Sequence, residues 1–263
     1  MSPFVLSDAY VNLILIHLMA SVRFLALIMT ASVYLVPSLP NPVKFWLAVM
    51  LAVVSVPAAD ASVPGVLIQN WWYLFIMAGR EFLIGAAIGF VSSMPLYALQ
   101  ISGFIDGTLM GLNMMNIFDP LSESQTSVLA QMKYMLAIWF YLRWDGHLLL
   151  ANALAESVRL VPIGVRMWSV PDSMPWMDWI QRAFIMAMRI SLPLFGAILL
   201  SDVGLGFVAR TVPQMNVFVI GIPLKICMGL IVLLTLLPTT VDIFHGEIER
   251  AVGWALEGIH FLR

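Results

Sequence analysis

Charge is scarce in this chain. Asp, Glu, Lys and Arg supply 11% of the 263 residues and hydrophobic residues 61%. An ordinary soluble domain carries roughly 25% charged and about 45–50% apolar residues. Mean hydropathy is +0.95, so no water-facing globule can absorb the excess, and the class is an integral membrane protein. Cysteine is almost absent. Cys227 stands alone, which excludes an internal disulfide and a multi-cysteine metal centre, and it reads as a small buried apolar residue in a helix. A basic excess is missing too. Net charge is −2, so nucleic acid is not an expected partner. No HExxH, CxxC, GxSxG or Walker loop occurs, and His17, His147, His245 and His260 show no metal-ligand spacing. No enzyme activity, metal or cofactor is expected. His147 near Asp145 reads either as a proton-handling pair or as a helix start with both groups near water. The first apolar stretch lacks an Ala-x-Ala type site, so no removable signal peptide is expected.

What is present is a series of apolar helices broken by proline. The 15 prolines are spread along the chain and predict kinked or interrupted helices. Helices are expected over Val11–Val36, Lys44–Val56, Trp71–Ile101, Ser127–Leu142, Ala151–Leu160, Ile180–Val208 and Ile226–Val241. Pro95 is expected to break the third and Pro238 the last. Gly85, Gly89, Ala86 and Ala87 make a small-residue face for close helix packing. Glu156 and Arg159 stand i,i+3, the spacing of an ion pair. From Phe244 to Arg263 the apolar residues Phe244, Ile248, Val252, Ala255, Ile259 and Leu262 share one helical face. That amphipathic tail is expected to dock on a partner protein, because it lacks the basic face that anionic lipid prefers.

The stretch from Gly103 to Pro120, GFIDGTLMGLNMMNIFDP, is organised differently. Gly103, Gly107 and Gly111 recur every fourth residue, Asp106 interrupts, and Asp119-Pro120 closes it. No charge falls between Gly107 and Phe118. Met110, Met114 and Met115 are soft side chains that repack easily. A flexible apolar segment of this kind is costly against lipid and pointless against water. It fits either the lining or closure of a cavity inside an assembly, or a plain helix–loop–helix corner.

Ionisable residues inside the apolar helices are the other feature: Arg23, Arg80, Glu81, Lys133, Arg182, Arg189, Asp202 and Lys225. At membrane depth such groups are functional or interfacial by default. They fit a small secondary transporter with a midplane ion site, or a subunit whose charges meet partners in a larger assembly. The proline breaks and short helices favour the second.

Four stretches, taken in order, carry a resemblance. They are Glu81-Phe-Leu-Ile-Gly-Ala-Ala-Ile-Gly-Phe90, the Gly107–Pro120 stretch, Asp145-Gly-His147 with Ser157 and Leu160-Val-Pro-Ile-Gly164, and Arg210-Thr-Val-Pro-Gln-Met-Asn-Val-Phe-Val-Ile-Gly-Ile-Pro-Leu-Lys225. Together they resemble the FliR/SctT family, the export-gate proteins of flagellar and virulence type III secretion systems, over essentially the whole chain. Two departures stand out: Asp145 where the family often has Asn, and Met114-Met115 where relatives often carry bulkier aromatics.

The resemblance implies a single all-α domain, 1–263, with a FliP-like N-terminal and a FliQ-like C-terminal part. It implies a non-enzymatic, channel-forming subunit that passes unfolded substrate proteins. Its partners would be FliP-like and FliQ-like gate subunits and an FlhB-like switch subunit. Its place would be the bacterial cytoplasmic membrane, within a flagellar or injectisome basal body, with a lean to flagellar. On this resemblance residues 106–120 are the plug. Met110, Leu112, Met114, Met115, Ile117 and Phe118 would seal it, and Gly107, Gly111 and Pro120 would let it bend. Arg80, Glu81, Arg210, Gln214, Asn216 and Lys225 are expected at intersubunit contacts, and no metal or cofactor is implied.

Overall fold

A computed structural model of the chain describes residues 3–32, 40–56, 71–114, 127–163, 176–212, 214 and 217–260. These residues form α-helices and one short 3-10 turn, with no strand among them. In chain order the helices are α1 (Pro3–Thr30), α2 (Asn41–Ser55), α3 (Trp71–Ser92), α4 (Met94–Leu109), α5 (Val128–Arg143), α6 (Gly146–Leu160), α7 (Trp176–Thr211) and α8 (Val217–His260). The 3-10 turn, Leu112–Met114, follows α4. The all-α class expected from hydropathy is the class observed.

Four segments are long and apolar enough to cross a membrane: Tyr10–Thr30, Trp71–Ser92, Trp176–Thr211 and Val219–Gly258. Two exceed what a bilayer requires. α7 has 36 residues and α8 has 44, about 54 and 66 Å at 1.5 Å per residue, against roughly 30 Å of hydrocarbon.

The chain divides into two compact units, each built from separated segments. The first comprises Met1–Ser93, Asp145–Trp176 and Ile248–Arg263. Within it α1 packs along α2 and α3, and α3 also touches α6. Glycine sets the α1–α3 approach. A Cβ on Gly85 would collide with the carbonyl oxygen of Arg23, and one on Gly89 with Thr30 and Leu27. The small-residue face expected on this helix is therefore its contact with α1. On α6, Arg159 Nη1 meets Glu156 Oε2 at 3.5 Å, with side chains 81% and 46% exposed. Water screens such a pair, so Glu156→Gln should shift stability by less than about 0.5 kcal/mol, read as an unchanged melting temperature in detergent.

The second unit comprises Met94–Trp144 and Met177–Glu247. Here α4 packs on α5, and both touch the 3-10 turn. The far end of α5 meets α8 through Trp144, whose ring stacks on Phe140 at 5.1 Å and lies 4.4 Å from His245.

Three expectations are corrected. Pro238 does not break the last helix, since both Pro223 and Pro238 lie inside α8. A proline removes one backbone bond, and an apolar setting offers no water to hydrate an opened turn, so the helix continues past it. Cys227 is exposed, not buried, because only 11% of the most apolar window of α8 is covered by the chain itself. The tail face is not waiting for a partner. Phe244, Ile248, Val252 and Ala255 are already buried within the chain, while the side chain of Ile259, and Leu262 itself, lie outside the described residues. The break expected at Pro95 falls at Ser93, which places Pro95 in the first turn of α4, where its missing N–H is harmless.

Candidate functional site

The Gly103–Pro120 stretch begins as helix. α4 continues to Leu109, so Gly103 and Gly107 both lie within it. A Cβ on Gly103 would stand 2.6 Å from the Cα of Ala130, and one on Gly107 2.6 Å from Ser127 Oγ. These glycines admit the start of α5 against α4. Ser127 is the N-cap there, its hydroxyl accepting from the Ala130 N–H at 3.5 Å. The close approach outweighs the cost of about 1 kcal/mol that glycine brings to a helix interior.

Asp106 does not interrupt the helix. Its Oδ2 lies 2.5 Å from Lys133 Nζ on α5, and the same ammonium donates to Ser102 Oγ at 3.1 Å. From α7, Ser191 Oγ donates to the Ser102 carbonyl at 3.2 Å. Asp106 is fully buried, and its Oδ1 has no partner among the described residues. Burial pushes the Asp106 carboxyl above its ordinary range, and the Lys133 ammonium pulls it back down. Neither α4 nor α5 is among the four candidate spans.

The α-helix ends just before Gly111, which separates it from the 3-10 turn. The φ of Gly111 is +82°, the left-handed conformation that closes helices and strains any residue with a Cβ. Gly111 N–H donates to the Thr108 carbonyl at 3.1 Å, and Asn113 Nδ2 donates to Thr108 Oγ1 at 2.8 Å. The residues expected to seal are placed differently from one another. Met110 is wholly buried and clusters with Leu129, Leu194 and Ile198. Leu112 and Met114 are half-buried. Met115, Ile117, Phe118 and Pro120 lie outside the described residues.

The residues expected at subunit contacts are equally divided. Glu81 lies inside its own unit. Its Oε2 accepts from Arg23 Nε at 2.6 Å and stands 2.5 Å from Arg23 Nη2. Arg23 Nη1 donates to the Ser157 carbonyl at 3.0 Å, and Nη2 to the Val161 carbonyl at 3.0 Å. Both acceptors belong to the C-terminal end of α6, where the helix dipole favours a cation. Arg23 and Glu81 are both fully buried, and Glu81 Oε1 has no partner among the described residues. Arg80 is buried as well. Lys225 Nζ meets Asp202 Oδ1 at 2.5 Å in the second unit, partly exposed. Arg210 and Gln214 are exposed, and Asn216 lies outside the described residues. Asp145 adopts φ 56° ahead of α6 and makes no side-chain cap bond. Asn and Asp tolerate that conformation best among residues with a Cβ, which accounts for either standing there.

A family model described as bacterial export proteins, family 1, matches residues 14–251. The chain belongs to this family. Among its relatives, the flagellar biosynthetic protein FliR of Escherichia coli K12 is 31% identical over 234 residues, covering 89% of this chain and 88% of that protein. FliR of Bacillus subtilis 168 is 29% identical over 231 residues, covering 86% and 88%. Yop proteins translocation protein T of Yersinia pestis is 30% identical over 156 residues, covering 58% and 59%. The resemblance to FliR/SctT proteins is thereby shown, and the chain is a component of a type III export apparatus. Of this family member's charged network, Glu81 and Lys133 stood out in the sequence as misplaced ions. Their partners Arg23 and Asp106 are 58 and 27 residues away, and no local spacing announces such pairs.

Proposed function

We propose that this chain is a structural, channel-forming subunit of the type III protein export gate, and that residues 106–120 help seal its closed pore. One observation carries the reading: a helix held by a buried ion pair ends at a left-handed glycine and leads into a charge-free, methionine-rich run. A seal must exclude water, which requires apolar side chains, and must yield to many substrates, which requires adaptable ones. Met110 is the root of the plug, and the residues from Leu112 to Phe118 are its working part. Gly111 and Pro120 bound the sealing segment.

We take the gate to be of the flagellar kind; what supports this is similarity to FliR over 89% of the chain against 58% for the Yersinia protein. It stands in the bacterial cytoplasmic membrane within a basal body. Its partners are FliP-like and FliQ-like subunits and an FlhB-like switch subunit. The uncovered apolar faces of α7 and α8 meet those subunits or lipid, and exposed Arg210 and Gln214 contribute polar contacts. The role is structural rather than catalytic.

Excising Gly111–Asn116, or replacing Met114, Met115 and Phe118 with Ala, should leave assembly intact by native mass spectrometry. The resting gate should then conduct small ions in cells or planar bilayers, while secretion continues or falls only in part. An assembled mutant gate as tight as wild type removes the plug role from this segment.

A further inference from the structure

A glycine far along the chain holds the root of this segment. Gly229 lies on α8, and a Cβ there would stand 2.6 Å from Met110 Cγ and 2.7 Å from both its Sδ and Cε. No side chain fits between them without displacing the methionine. Met110 itself is 0% exposed and packs on Leu129, Leu194 and Ile198. It precedes Gly111, where the backbone leaves the helix. The nearest neighbour that a Cβ on Gly111 would meet is Ile222 Cγ2, also on α8, at 3.8 Å. Two successive residues at the root therefore lie against α8 at positions about two turns apart. Glycine has low helix propensity, and at position 229 the absence of a side chain opens a notch in the helix surface.

We propose that Gly229 is the socket of the plug: Met110 seated in this notch holds the closed segment, and opening requires Met110 to leave it. This rests on the plug reading and adds its seat. Met110 is suited to the part because its unbranched, flexible side chain can withdraw and re-enter without backbone distortion. The seat also ties the plug to α8, so that displacing α8 releases the segment with no direct push on it.

The test uses the assembled gate with Cys227→Ala, Met110→Cys and Gly229→Cys. A sulfur at 110 takes the place of Met110 Cγ and reaches the new Cβ at 229, compatible with a disulfide whose Cβ atoms stand about 3.5–4.5 Å apart. Oxidation with copper phenanthroline should cross-link the pair, leave the gate tight to ions and stop secretion, and dithiothreitol should restore it. In parallel, Gly229→Leu should make the resting gate leak, and adding Met110→Ala to it should restore tightness by moving the filling side chain across the contact. Failure of the cysteines to cross-link in the assembled gate, or undiminished secretion through a fully cross-linked one, overturns the socket. Neither result touches the plug reading, which stands or falls on the leak of the Gly111–Asn116 excision.

Discussion

Replacing Arg23 with Ala should abolish the folded chain. The guanidinium is fully buried, and its three nitrogens bond Glu81, the Ser157 carbonyl and the Val161 carbonyl. Removing it strands a buried carboxylate and takes a charged donor from the Val161 carbonyl, while the Ser157 carbonyl keeps only the Val161 N–H at 3.0 Å. Breaking one partner of a buried pair costs about 3–5 kcal/mol, a large share of the 5–15 kcal/mol typical of a whole domain. Arg23→Lys should rescue little, because an ammonium is a single point and cannot reach acceptors on two helices in a planar fork. Exchanging the two charges, Arg23→Glu with Glu81→Arg, should fail as well, since a carboxylate cannot donate to the carbonyls of α6. Arg23→Met with Glu81→Met should recover part of the loss by removing both charges together. Fluorescence-detected size exclusion of detergent extracts reads all four variants. A monodisperse Arg23→Ala peak that melts with wild type would show that the network adds nothing to stability.

Hydropathy made the helical class and most helix positions legible, because a bilayer leaves the backbone few alternatives. Glycine was harder to read. Gly103, Gly107 and Gly111 are evenly spaced, yet the first two are contact surfaces and only the third ends a helix. The distinction depends on Ala130 and Ser127 lying opposite, a tertiary fact invisible in the spacing. Proline misled at Pro238 for a related reason, since its effect depends on whether water can reach the opened turn. The tail was correctly legible as amphipathic, but periodicity identifies a face that must be covered and not what covers it. The expected contacts at Glu81 and Lys225 show the same limit. Sequence marks a charge that needs a partner, and here each has one within its own unit. Gly229, amid an apolar helix, gave no signal at all, because its meaning comes from Met110.

Replacing Lys133 with Met should destabilise the second unit in a way that depends on pH. In the wild-type chain burial raises the Asp106 carboxyl and Lys133 opposes that rise. Without the ammonium, burial acts with its main opponent gone. A folded-state value above the unfolded one means that folded protein holds the proton more tightly. Ionising Asp106 is then a cost that grows as pH climbs past the unfolded value of about 3.9 and is complete above the folded one. Lys133→Met should therefore be most stable in acid and should lose stability towards neutral pH, where the stranded carboxylate costs on the order of 3–5 kcal/mol. Adding Asp106→Leu should remove both the pH dependence and most of the neutral-pH loss, because no buried charge remains. Melting temperatures of the assembled gate at pH 5 and pH 8, each referred to wild type at the same pH, measure this. A single variant equally weak at both values, or a double variant no better than the single, would show that Lys133 acts through packing and not through Asp106. Asp106 lies one turn before Met110, at the end of α4, so the double variant also shows whether the root of the plug needs an ion pair or only a filled core: with Asp106→Leu in place, an assembled gate that stays tight assigns the seat to Met110 and Gly229 alone.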